Sequence, residues 1–287
     1  MSLLARGRAY GRMIKFSHSV FALPFALVSA LLAARHRPGP GQLAWIVVAM
    51  VSARSAAMGF NRLADHAIDA RNPRTAGREL PRGVLRRGEV WAFVALSALG
   101  LVLASAMLNP LCLALSPVAL AMVFGYSYTK RFTALSHLAL GLALAIAPVG
   151  AWIAIRGRFD DVPIVLALAV LAWVAGFDVI YACQDVEVDR REGLFSLPAR
   201  LGVGRALLVA RGLHGLAVAL LSALYVLTPL HGVYWFGVGL VAVLLVYEHS
   251  LVSEHDLSRV DAAFFAVNGW ISVGYLAVTA LAVWLTL

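Results

Sequence analysis

The chain has 287 residues, of which 61% are hydrophobic and only 14% charged, with a mean hydropathy of +0.83. Soluble domains carry nearly twice that charged share, so the composition excludes them and describes a polytopic membrane protein. The net charge of +9 would suit a nucleic-acid binder, but the basic residues follow the connections between apolar runs, so nucleic acid is excluded as a partner.

In chain order, Arg6, Arg8, Arg12 and Lys15 precede a first apolar run at 18 to 34. The pattern resembles a signal peptide, but no secreted domain follows and the run is read as a helix. Further runs of spanning length occupy 42 to 60, 90 to 108, 110 to 128, 134 to 155, 162 to 182, 205 to 227, 231 to 252 and 262 to 286. The expected fold is all-α, about nine transmembrane helices in a single membrane domain over 1 to 287. Of the 24 Lys and Arg, 19 fall on the side of the N-terminal tail and the even-numbered connections. The opposite side has Arg35, Arg37, Arg156 and Arg158, while Arg54 lies within the second run. The positive-inside rule then places the N-terminus and the long connections 61 to 89 and 183 to 204 in the cytoplasm. Both long connections begin with acidic residues after an even-numbered run, a recurrence that hints at a loose internal repeat. The two cysteines, Cys112 and Cys183, offer neither a disulfide framework nor a CxxC site.

The polar residues that interrupt this pattern are few. Arg54 stands seven residues before Asn61 on the same helical face, in a run with no other charge. A guanidinium at that depth needs an anionic partner, either Asp178 or the carboxylate of an acidic aromatic substrate. In NRLADHAID, Asn61, Asp65 and Asp69 are spaced four apart, which brings them onto one helical stripe at about 3.6 residues per turn. Taken singly they could be caps or solvated loop residues. Together they are hard oxygen donors suited to Mg2+ carrying a phosphorylated ligand, with Arg62 and Arg71 near enough for anion oxygens. Lys130 and Arg131 follow the fourth run; Lys130 is either a topology anchor or a clamp on a diphosphate. In YACQDVEVD, Asp185 and Asp189 repeat the four-residue spacing, and Asp178 and Tyr181 precede them on the same face. Asp178 lies within an apolar run, where a carboxylate has either a functional role or a partner on a neighbouring helix. Glu187 falls off the stripe and is read as solvated. Glu248, His249, Glu254, His255 and Asp256 fit no zinc spacing and are read as a solvated loop. Two acidic clusters of this kind suggest one diphosphate held between two helices.

The string AMGFNRLADHAIDARNPRTAGRELPRG, from Ala57 to Gly83, closely resembles the first signature region of the UbiA-type intramembrane prenyltransferases. YACQDVEVDRREGLFSLPARLG, from Tyr181 to Gly202, resembles the second, and MIKFSHSVFALPFAL and YSYTKR are also similar to that family. RTAGRELP together with GFDVIYACQD most resembles the 4-hydroxybenzoate polyprenyltransferase-like branch, which includes enzymes of the futalosine route to menaquinone.

The resemblance implies helices around a central cavity and Mg2+-dependent transfer of a polyprenyl group from polyprenyl diphosphate. The implied acceptor is an aromatic hydroxy acid, 4-hydroxybenzoate or a dihydroxynaphthoate, in ubiquinone or menaquinone biosynthesis. It also implies that Asn61, Asp65, Asp69, Asp185 and Asp189 hold the metal and diphosphate, with Lys130 and Arg62 matching basic positions nearby. Phe60, Tyr126 and Tyr181 are aromatic candidates for stabilising an allylic cation. Localisation would be the inner (cytoplasmic) membrane, multi-pass, in direct contact with the lipid bilayer. The alternatives are another acceptor such as haem, a cation-coupled transporter, whose acidic residues would sit nearer the midplane, and a non-catalytic scaffold.

Overall fold

The computed structural model describes residues 3–14, 21–34 and 37–286; Lys15, Arg35 and the start of the first run fall outside them. Where described, each predicted run forms a helix, with non-helical residues at the ends of the first, fifth and eighth. A short N-terminal helix, α1 (Leu3–Met13), precedes α2 (Leu23–Ala34), α3 (Pro40–Ala64) and the six-residue α4 (His66–Arg71). Next come α5 (Arg87–Leu108), α6 (Pro110–Thr129), α7 (Ser136–Arg156) and α8 (Asp161–Ala182). A single 3-10 turn (Cys183–Asp185) leads to the short α9 (Val186–Arg191) and α10 (Leu197–Leu201). The chain ends with α11 (Val203–Leu227), α12 (Tyr234–Ser250), a π-helical turn (Ala262–Val267) and α13 (Asn268–Thr286).

Among the described residues, seven helical spans are long and apolar enough to cross a membrane, and α2 and α12 are apolar but shorter. The expected nine therefore appear as seven full-length spans and two shorter helices. Boundaries follow local chemistry. Asn109 caps α6, its side chain accepting the Cys112 N–H at 2.9 Å, with Pro110 in the first turn where no amide donor is needed. At the far end of α7, Gly157 adopts φ +67°, a left-handed stop that L side chains disfavour.

The helices close a ring: α3 packs on α5 and α6, α7 joins α6 to α8, α8 leans on α11, and α12 and α13 lead back to α2. Inside the ring the α8 face is almost continuously buried, from Leu166 through Val170, Trp173 and Phe177 to Ile180. Outside, Leu96, Met107, Val226, Phe236, Val246 and Trp270 are exposed, as a surface facing lipid requires. The result is an all-helical integral membrane protein. Both acidic motifs lie at one end of it, where α3 and α8 end.

Candidate active site

The helices carrying the two motifs do not continue straight through them. Asp65 sits at the junction of α3 and α4 with φ −91° and ψ 3°, in the sparsely used bridge region. The backbone bonds from Asp65 N–H to Asn61 O and from Asp69 N–H to Asp65 O preserve the four-residue offset across this junction. In the second motif the 3-10 turn separates Asp185 from α8 and places Asp189 on α9. The single continuous helix expected from spacing is therefore interrupted at both motifs.

Asn61, Asp65, Asp69, Asp178, Tyr181, Asp185 and Asp189 nevertheless line one cavity of about 290 Å3, together with Arg54, Arg62 and Lys130. The carboxylates do not stand bare against one another. Asp65 is buried and accepts from Lys130 Nζ at 2.8 Å, Arg131 Nη2 at 3.0 Å and Asn61 Nδ2 at 3.1 Å. Asp69, also buried, is gripped on both oxygens by Arg78 Nη1 at 2.7 Å. Asp185 is held by the fork of Arg74 and by Asn72 Nδ2 at 3.1 Å. The same guanidinium donates to the Tyr181 hydroxyl at 2.9 Å and lies 5.1 Å from its ring centre. Arg62 is buried, with Nη1 directed to Asn61 Oδ1 at 3.4 Å and Nε lacking a partner among the described residues.

Several expectations are corrected. Arg71 does not line the cavity; it is engaged by Glu192 at 2.6 Å, and its hydrogen bond holds the Glu192 carboxyl below the usual range. Asp178 is paired with His137, Nδ1 to Oδ2 at 2.7 Å, in place of the Arg54 partnership considered from sequence. Phe60 turns away, packing on Phe124 with ring centres 4.5 Å apart, whereas Tyr126 and Tyr181 do line the cavity. Glu248 and His249 are not a solvated loop. Glu248 is fully buried and bonded by Asn268 Nδ2 at 3.0 Å, and His249 meets His214 at 3.0 Å, because the last turn of α12 faces the bundle. Glu254, His255 and Asp256 are exposed, as is Glu187. Spacing did not single out Asn72, Arg74, Arg78 or His137; the four-residue interval between the two arginines was the available signal.

The charges decide what the cavity can hold. Five carboxylates, Asp65, Asp69, Asp178, Asp185 and Asp189, are matched by five cations, Arg54, Arg62, Arg74, Arg78 and Lys130. Arg131, which binds Asp65 from beside the lining, adds one further cation, so these residues alone would not neutralise a diphosphate and added cations would suit such a ligand. The hard oxygen donors around the cavity fit Mg2+ in that role. Among the described residues no three His, Cys, Asp or Glu side chains converge as a ready metal cluster. Arg74, Arg78 and Lys130 hold three of the carboxylates instead.

An apolar cavity of about 220 Å3 adjoins the polar one. Arg54, Met58, Tyr126, Leu140 and Leu144 line both, and the apolar one runs on to Ile46, Leu108, Cys112 and Ile153 near the other membrane face.

A family model described as the UbiA prenyltransferase family matches residues 22–286. The 4-hydroxybenzoate octaprenyltransferase of Vibrio atlanticus (strain LGP32) is 28% identical over 270 residues, covering 93% of this chain and 94% of that protein. The enzyme of the same name from Aeromonas hydrophila subsp. hydrophila is 30% identical over 273 residues, covering 93% and 95%. Among solved structures, a UbiA homolog from Aeropyrum pernix K1 superposes with a TM-score of 0.84 at 34% identity, covering 91% of this chain and 96% of that one. A UbiA homolog from Archaeoglobus fulgidus, bound to GPP and Mg2+, shares the fold at a TM-score of 0.77 and 20% identity, covering 96% and 99%.

Proposed function

We propose that this chain, which belongs to the UbiA prenyltransferase family, transfers a polyprenyl group from polyprenyl diphosphate to an aromatic hydroxy acid. The acceptor is 4-hydroxybenzoate or a dihydroxynaphthoate, and the product enters ubiquinone or menaquinone biosynthesis. The observation that carries this reading is the union of two cavities, one polar with both acidic motifs and one apolar, sharing Arg54 and Tyr126. A diphosphate belongs in the first and an isoprenoid tail in the second. On this reading a single membrane domain, taken as 1 to 287, builds them.

Asn61, Asp65, Asp69, Asp185 and Asp189 would hold Mg2+, which when bound neutralises a departing diphosphate and so eases cleavage of the allylic carbon–oxygen bond. Arg74, Arg78 and Lys130, which hold Asp185, Asp69 and Asp65, carry further N–H donors that would reach toward the diphosphate oxygens. Arg54, at the boundary of the two cavities, receives the acceptor's carboxylate. Tyr126 and Tyr181 offer aromatic faces to the allylic cation, and the apolar walls keep water from it. The distribution of Lys and Arg supports a cytoplasmic site, with the prenyl substrate entering from the inner membrane itself.

A transporter reading is less well supported, because the carboxylates gather at one end of the bundle and most are ion-paired. The test is to incubate the purified protein with a radiolabelled polyprenyl diphosphate, Mg2+ and separate acceptors: 4-hydroxybenzoate, dihydroxynaphthoates and haem. Label is expected in a lipid-soluble prenylated hydroxy acid. Transfer to haem alone, or to no acceptor, would overturn the reading.

A further inference from the structure

His137 and Asp178 stand in the cavity but outside both acidic motifs. The Leu197 backbone N–H points at His137 Nε2 at 3.3 Å. An amide N–H can only donate, so Nε2 accepts and the neutral ring carries its proton on Nδ1, from which it donates to Asp178 Oδ2 at 2.7 Å. The tautomer is thus set by the first residue of α10, whose start is fixed by the Ser196 hydroxyl accepting from Ala199 N–H at 3.3 Å.

The pair differs from Asp65, Asp69 and Asp185 in what remains open. Asp65, Asp69 and Asp185 have lone pairs taken up by Lys or Arg. Asp178 has one oxygen tethered by a buried imidazole, and its Oδ1 accepts no hydrogen bond among the described residues. Its side chain keeps 24% exposure, against 4% for that of His137, so the open oxygen is accessible in the cavity.

Depth points the same way. Asp178 lies seven residues before Asp185, about 10 Å further into the membrane at ~1.5 Å per residue. Arg54 lies the same seven residues before Asn61 on the helix opposite. Leu140, one turn on from His137, lines both cavities. An acceptor whose carboxylate meets Arg54, where the two cavities join, therefore lies near the depth of Asp178.

We propose that Asp178 Oδ1 takes the ring proton during prenyl transfer, and that His137 is its positioning residue; this rests on the prenyltransferase reading above. The allylic carbon forms its bond to the ring carbon ortho to the hydroxyl, and the diphosphate leaves with the electron pair of the broken carbon–oxygen bond. The proton on that ring carbon passes to Asp178, and its electron pair restores the aromatic ring. Asp178, now neutral, gives the proton to water or to the departing diphosphate.

The test compares the full-length wild type with Asp178→Asn, His137→Gln and His137→Ala. The acceptor is 4-hydroxybenzoate, or the panel compound that replaces it, either unlabelled or deuterated ortho to the hydroxyl. Wild type is expected to use both isotopic forms at equal rates. Asp178→Asn is expected to keep its KM for prenyl diphosphate, lose about 100-fold or more in kcat, and acquire a primary isotope effect as proton removal becomes limiting. His137→Gln, whose amide can still donate to Oδ2, should retain most of the rate that His137→Ala loses. Wild-type kcat in Asp178→Asn, or a slow variant with no isotope effect, would overturn the assignment while leaving the function intact. If Asp178→Asn does not elute as folded protein, equal rates in the two His137 variants would overturn it. Absence of any product from wild type would remove the function and this role together.

Discussion

Arg54 is the charged side chain that touches both cavities, and its position makes a separable prediction. Losing a charge-assisted hydrogen bond costs about 1.5 to 3 kcal/mol, so Arg54→Ala should raise KM for the acceptor roughly 10- to 100-fold. KM for prenyl diphosphate should change little; steady-state kinetics in each substrate check this, and equal effects on both would end its assignment to the acceptor. Arg54 was legible because it is a lone charge in an apolar run. Arg74 and Arg78 were not, although they grip Asp185 and Asp69, because charge counting treats every arginine of a basic connection alike. What distinguishes them is a partner, and in the case of Arg74 that partner is more than 100 residues away in sequence. His137 was hidden for a similar reason: one histidine near the start of an apolar run has no pattern until Asp178 and Leu197 are brought to its two nitrogens.

At the scale of elements, hydropathy located all nine apolar runs but could not set their lengths, since α2 and α12 are bounded by polar residues and turns that hydropathy averages over. It also gave no sign of α1 in the N-terminal tail or of α4, α9 and α10 in the connections, because these helices are short. The helical offset of the acidic residues was readable; the interruptions at Asp65 and at Cys183–Asp185 were not, because sequence spacing does not report local backbone dihedrals. Close helix approach is another feature seen only in three dimensions. A Cβ on Gly141 of α7 would lie 2.5 Å from the Leu171 carbonyl oxygen of α8, backbone that cannot swing aside. Gly141→Ala should therefore destabilise the protein by about 1 to 3 kcal/mol through overpacking. Gly239→Ala on α12, where a Cβ meets nothing within 4 Å, should be neutral or slightly stabilising. Thermal unfolding in detergent compares the two, and equal midpoints would contradict the α7–α8 contact.

For the whole molecule, composition alone established the membrane class, and the side-by-side count of Lys and Arg predicts an orientation for it. That orientation is testable with engineered cysteines, because Cys112 and Cys183 are free and buried and give little background. Arg158→Cys should react with a membrane-impermeant maleimide in intact cells, and Glu187→Cys only after permeabilisation; the reverse pattern would invert the topology. Bringing Asn61, Asp65 and Asp69 to the same cavity as Asp185 and Asp189 is the work of the closed ring, which holds the ends of α3 and α8 at one membrane face. The central claim is that these two motifs act together on one prenyl diphosphate. It is tested most directly by the rate of prenylated product formation in Asp65→Asn and Asp189→Asn protein that elutes as wild type does. Each single change should lower turnover by about 100-fold or more, and near-wild-type turnover in either would contradict the account.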